Sequence, residues 1–224
     1  MQLHDLIRQR KVSAVVNMYR IIVVVVFSLG ILLMLGIPVN HAFTLDLMGV
    51  GWNKSGVTVV ILDSEDLTED AIEDIEEAID DWNDVLMELT TVPILIVVDD
   101  VKEADILVEV KIDPQAVLGQ TLTMSGGRHG CVLRRAFIRL NGEVSGREFS
   151  GAGVRSVARH EFGHALGLGH SDDPDDLMYP LLGCQDIFGE YDISISDFDM
   201  DGLDAIYPLH KRFPLPDSLV WEEW

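Results

Sequence analysis

One eleven-residue stretch, His160 to His170 (H-E-F-G-H-A-L-G-L-G-H), restricts what this chain can fold into more than any other. His160 and His164 stand four apart, so a helix places both imidazoles on one face. Gly167 follows three residues later, where glycine can take the left-handed conformation that ends a helix and turns the chain back. His170 then swings round as a third nitrogen ligand. Three histidines leave the fourth position of a tetrahedral zinc open for water, and Glu161, adjacent to the first ligand, can hold that water. A single histidine on a helix is usually a surface or satisfied core residue, but five fixed positions in order are not explained that way. The spacing predicts a zinc site with a catalytic opening.

The stretch resembles the metzincin metallopeptidases, whose pattern H-E-x-x-H-x-x-G-x-x-H is followed by a methionine turn. Asp176-Leu177-Met178-Tyr179-Pro180 supplies such a turn, with Met178 eight residues after His170. Ser171 directly after the last histidine, and Met-Tyr-Pro as the turn, look most like the matrixin branch. Ala104-Asp105-Ile106 resembles the segment that opens a matrixin sheet strand, and the likeness runs from about Val57 to Tyr207. The astacin and serralysin branches can add a tyrosine ligand two residues after the turn methionine. That position is Pro180 here, so none is expected.

The resemblance implies an α/β (α+β) zincin-like fold: a twisted mixed β-sheet with three helices and a zinc cleft between upper and lower parts. It implies one catalytic zinc on His160, His164 and His170, and Glu161 as general base in the hydrolysis of peptide bonds of extracytoplasmic proteins. Gly167 and Met178 become structural supports, Met178 as an apolar floor beneath the ligands. Tyr179 and Pro180 would wall the pocket for the residue after the cut. An extended substrate would pair with a sheet edge at Gly119–Met124, with Gly119, Thr121 and Thr123 as contacts. A zinc- and peptide-binding protein of the same fold without turnover is the alternative, and the intact Glu161 counts against it. Three departures from animal matrixins follow. About twenty residues between the apolar N-terminal segment and the first strand leave no room for a propeptide with its inhibitory cysteine. Before the catalytic helix only His129 is available for a structural zinc, which needs several histidines. No substrate-targeting domain is expected after the catalytic one, which makes this a minimal, prokaryotic-style version.

Charge is unevenly distributed. The net value is −22, yet residues 1–42 carry +3 and the remainder −25. So acidic a surface repels phosphate backbones and excludes nucleic-acid binding. Ile21 to Ile37 runs seventeen residues without a charge, about 25 Å as a helix, at the short end for crossing a bilayer. Arg8, Arg10, Lys11 and Arg20 precede it, so the positive-inside rule places residues 1–20 in the cytoplasm and the catalytic part outside. The segment is read as an uncleaved anchor in a cell membrane, or as a signal whose removal near Ala42 would release a secreted enzyme. Cys131 and Cys184 lack metal-site spacing; they form a disulfide outside the cytoplasm or remain free thiols.

The remaining organisation follows from periodicity. Residues 38–56 read as a linker, residues 57–208 as the catalytic domain and residues 209–224 as a tail. Val57–Leu62, Pro93–Val98, Ala104–Lys111, Leu118–Met124 and Cys131–Leu140 are strand candidates. Ser64 or Thr68 caps a helix through about Leu89, with Ile72, Ile75, Ile79, Trp82 and Leu86 on its core face. A second helix runs from about Gly153 to Leu166 and a third from Ser196 to Tyr207. The D-x-D-x-D-G at Asp197–Gly202 resembles a calcium loop, but its twelfth position is Pro208 where a bidentate glutamate is needed. A helix cap is the better reading, so calcium is not supported.

Overall fold

The run Gly56–Ile61 has almost no polar residue, which suits a strand covered on both faces, and it lies inside the sheet. The chain is described here from a computed structural model, over residues 43–89, 92–113, 117–127, 132–144, 146–181, 187–189 and 192–212, the last five of these by backbone alone. Short strand β1 (Leu45–Leu47) comes first, then β2 (Gly56–Ile61), helix α1 (Glu69–Glu88), β3 (Ile94–Val97), β4 (Ile106–Lys111), β5 (Gly119–Gly126) and β6 (Val132–Asn141). A small hairpin of β7 (Glu143–Val144) and β8 (Arg147–Glu148) leads into α2 (Gly151–Leu166), β9 (Leu168–Ser171) and α3 (Asp197–Arg212). The main sheet has the order β3-β2-β4-β6-β5. Its first four strands are parallel, while β5 runs antiparallel on β6, in register from Gly119 opposite Leu140. This is the mixed sheet with three helices that the sequence implied, and β5 is one of its two edges.

The helices start where their capping chemistry allows. Thr68 accepts a hydrogen bond from the Ala71 amide at 3.1 Å and opens α1. Ser64, the other candidate, instead donates to the Val110 carbonyl. One face of α1 buries Ile75, Ala78, Ile79, Trp82 and Leu86 against α2 and the sheet, leaving most of the acids in solvent. Each such large apolar side chain contributes roughly 1.5–3 kcal/mol on burial. Ser150 caps α2 through the Gly153 amide, two residues before the apolar pattern begins.

Arginines tie the two helices together. Arg159, buried on α2, donates to Asp81 on α1 at 2.5 Å, to Asp192 and to the Ile193 carbonyl at 2.9 Å. Arg155, one turn earlier on α2, reaches Asp74 and Glu77 on α1. Burial alone would raise the Asp192 pKa, but hydrogen bonding and charge from Arg159, with Arg155 beside it, outweigh burial and lower it. Asp74, Glu77 and Asp81 on α1 are therefore paired with arginines of α2.

Several expectations need adjustment. Residues 43–56, read as a linker, are built into the domain: β1 pairs antiparallel with β9, Gly51 bridges Val132, and Trp52 is 2% exposed. The glycines and Pro38 suggested a linker because the strand is only three residues long and its partner lies far along the chain. Asp197–Gly202 opens helix α3 with Asp199 in its first turn, as the cap reading expects, but α3 continues to Arg212, past the expected start of the tail. Residues 1–42, with the apolar Ile21–Ile37 run, lie outside the described residues, as do His129, Cys131, Cys184 and most of the tail. Among the described residues no helix is long and apolar enough to cross a membrane.

Asp199 in that first turn is fully buried. Its Oδ2 accepts from the Ser196 amide and hydroxyl, at 2.9 and 3.0 Å. Its Oδ1, like Oδ2 of buried Asp176, has no donor. Burial, with the Asp176 charge close by, pushes Asp199 up to about 7. A carboxyl raised in the folded state favours folding fully below its unfolded value of about 4, and that contribution is lost as pH rises to about 7. Asp199→Asn keeps the acceptor for Ser196 and adds a donor for Asp176. It should therefore stabilise the chain at pH 8 by about 1–3 kcal/mol and flatten the stability loss between pH ~4 and ~7. Urea denaturation across that range is the measurement; a variant less stable than wild type at pH 8 would contradict it.

Candidate metal centre

The site is built on α2, whose last two turns carry His160, Glu161 and His164. Gly167 ends the helix at φ 111°, its amide reaching the carbonyls of Gly163 and His164. No other residue suits that position: the backbone angle disfavours a side chain, and a Cβ would run into the Val50 carbonyl. The reversal lays β9 back across the helix end and brings His170 beside the other two rings. One ligand atom from each of His160, His164 and His170 fits within a span of 4.8 Å. A tetrahedral ion with ~2.0–2.1 Å bonds holds its ligand nitrogens ~3.3 Å apart, so the three atoms lie somewhat wider than a bound ion would draw them.

The donor set fits a zinc ion chemically as well. His160 Nδ1 lies 2.7 Å from the Leu177 carbonyl, and His164 Nδ1 lies 2.9 Å from the Leu168 carbonyl. A carbonyl only accepts, so each Nδ1 carries the proton and each Nε2 keeps its lone pair for a metal. Burial, with the neighbouring His164, lowers the His160 pKa to about 4, and burial lowers that of His164 as well. Neutral imidazoles are what metal binding needs. Backbone carbonyls from two different segments thus fix both tautomers, something the histidine spacing alone does not reveal.

Met178, expected as an apolar floor, is fully buried. It packs against Gly163, where a Cβ would come within 2.5 Å of its sulfur. Gly163 was not singled out in the sequence. Its only signal there is a glycine inside a helix, which costs about 1 kcal/mol relative to alanine and so suggests a packing reason. The Met178 amide is held by the Asp176 carboxylate at 3.0 Å, and its carbonyl accepts from the Ser171 amide, which joins the turn to β9.

Glu161 is 5% exposed and faces the edge strand. Burial pushes its pKa up to about 7, with a hydrogen bond from Thr121 acting in the opposite sense. A cleft of about 570 Å³ runs between β5 and the residues after the turn, and its lining includes the three histidines, Glu161, Gly119, Thr121, Tyr179, Pro180 and Leu181. Four of the five expected substrate contacts are therefore gathered around the site. Thr123 is on β5 but does not line the cleft, and the side chain of Thr121 is engaged by Glu161. Thr123 shares the half-buried face of β5 with Gly119 and Thr121, while Leu122 and Met124 are exposed on the other face, and the cleft reaches along the strand only as far as Thr121. The strand offers its edge, not those threonines, to anything lying in the cleft.

Comparison with known proteins agrees with this geometry. The matrixin family profile matches residues 51–208. Stromelysin-1 of Equus caballus is 30% identical over 168 residues, which cover 70% of this chain and 32% of that protein. Macrophage metalloelastase of Oryctolagus cuniculus is 35% identical over 79 residues, 34% of this chain and 16% of its own length. Matrix metalloproteinase-20 of Homo sapiens is 42% identical over 64 residues, 29% and 13% respectively. The chain thus spans about a third or less of the length of these relatives.

Titration of the metal-free chain with zinc should show one tight site per chain. His164→Ala should weaken that site by more than the ~10–100-fold typical of losing a ligand's hydrogen-bond partner. Equal affinity in both proteins would remove His164 from the site.

Proposed function

The chain belongs to the matrixin family, and from that premise we propose that it is a zinc-dependent endopeptidase acting on extracytoplasmic proteins, with His160, His164 and His170 holding the metal and Glu161 as general base. The observation that carries this reading is the placement of a nearly buried carboxylate beside three converging imidazoles, in a cleft bounded by a sheet edge. When bound, zinc supplies Lewis acidity, which makes its water a nucleophile near neutral pH and draws charge from the scissile carbonyl.

The chain's own groups supply the rest. Glu161 takes the proton from the attacking water and passes it to the departing amine, a role favoured by a pKa well above that of an ordinary carboxyl. The Nδ1–H bonds to Leu177 and Leu168 hold the His160 and His164 rings in place, so that little reorganisation is needed during reaction. β5 pairs with β6 on one side only, and its other edge can add an extended peptide by main-chain hydrogen bonds. Main-chain pairing anywhere along a chain suits cleavage inside a polypeptide rather than trimming of its ends. Tyr179, Pro180 and Leu181 wall the cleft on the opposite side and would contact the residue after the cut.

The basic flank and uncharged Ile21–Ile37 run support a membrane-attached enzyme with its catalytic domain outside the cytoplasm. The acidic remainder of the chain supports protein rather than nucleic-acid partners.

Incubated with a denatured protein, the full chain should release internal fragments, and a chelator should stop it. Glu161→Gln should keep one zinc per chain but lose about two to four orders of magnitude in kcat/KM. Activity within tenfold of wild type would move the base elsewhere. In cell fractionation the chain should travel with membranes, and protease added to intact cells should degrade the catalytic domain. A soluble product starting near Phe43 would identify residues 21–37 as a cleaved signal instead.

A further inference from the structure

Glu161 and the inner face of β5 are built around each other. The Thr121 hydroxyl lies 2.6 Å from Glu161 Oε2 and 3.0 Å from the Glu161 backbone carbonyl. Two residues earlier, Gly119 presents bare backbone to the same carboxyl: a Cβ there would overlap Glu161 Oε1, and would come within 2.7 Å of Cγ and 2.8 Å of Cδ. The carboxyl is thus pressed over one residue of the strand and hydrogen-bonded by the next one on that face. A hydroxyl has one proton to give, and the charged oxygen is the stronger acceptor. Thr121 therefore engages Oε2 and fixes the rotation of the carboxylate, leaving Oε1, over Gly119, as the oxygen for proton transfer.

The geometry points to Thr121 as a positioning residue for the general base, rather than a substrate contact. Its hydroxyl sets the direction of the Glu161 carboxylate, and Gly119 supplies the space in which that direction is possible. The same strand whose free edge would pair with the peptide also aims the base, so substrate register and base orientation share one rigid element. This inference rests on the endopeptidase reading above.

The test uses the full chain with Thr121→Val, which keeps the shape and removes the hydroxyl, and Thr121→Ser, which keeps the hydroxyl. With zinc bound and a peptide substrate, Thr121→Val should lower kcat by about tenfold, the typical effect of one charge-assisted hydrogen bond, with KM within twofold and zinc content unchanged. Thr121→Ser should recover most of kcat. A raised KM with kcat preserved would make Thr121 a substrate contact and overturn the proposal, as would wild-type kinetics in Thr121→Val or failure of serine to rescue. A second readout needs no activity: a double-mutant cycle of Thr121→Val with Glu161→Ala, which removes the acceptor altogether, in urea denaturation of the metal-free chain. Non-additive effects are expected, and additivity would remove the contact itself. Non-additivity in a chain that hydrolyses nothing would instead bring down the endopeptidase reading, leaving Thr121 a structural clamp with no base to position.

Discussion

Everything in this site depends on the chain reversing direction immediately after a helix, at Gly167. Two of the three histidines come from the helix face and the third from a strand that must return over the helix end within three residues. A left-handed residue achieves that reversal, and close approach of the Val50 carbonyl closes the remaining room for a side chain. The amide of Gly167 meets the orphan carbonyls of the last turn, so the reversal also satisfies the helix end.

Because α2 is buried almost all round, its backbone has little water to fall back on, and aromatic donors fill part of that need. Trp82 Nε1 donates to the Arg159 carbonyl at 2.9 Å, Trp52 Nε1 to that of Ala165 at 2.8 Å, and the Tyr207 hydroxyl to that of Leu166 at 2.8 Å. These three residues come from α1, the N-terminal segment and α3. Each therefore buries apolar surface and fixes one carbonyl of the ligand-bearing helix. Removing Trp52 or Tyr207 leaves both a cavity and an unpaired carbonyl in the last turn of the helix, whereas removing Trp82 leaves a cavity but spares the intrahelical bond of the Arg159 carbonyl. The precision of the histidine layer is thus set by the surrounding core as much as by the histidines.

What was legible in the sequence was whatever a single element determines. The i, i+4 histidines, the helix-ending Gly167 and the amphipathic face of α1 follow from periods and caps and are found where those rules place them, while the burial of Met178 was implied by the family resemblance alone. The contacts of Thr121 and Gly119 with Glu161, and of Gly163 with Met178, were not legible, because each depends on which element lies against which. Residues 43–56 were misjudged for a related reason. A three-residue strand leaves no periodicity, and its pairing with β9 is decided by a partner more than a hundred residues away.

That pairing has a consequence for how the site comes into being. Leu45 lies opposite Ser171, so the strand carrying the third ligand is held by one of the longest chain closures in the domain. The helix carrying the other two histidines closes its backbone bonds locally, although its burial depends on distant elements, whereas the pairing of β1 with β9 needs a closure whose entropy comes before the reward. His170 therefore has its full support only when β1 is paired with β9.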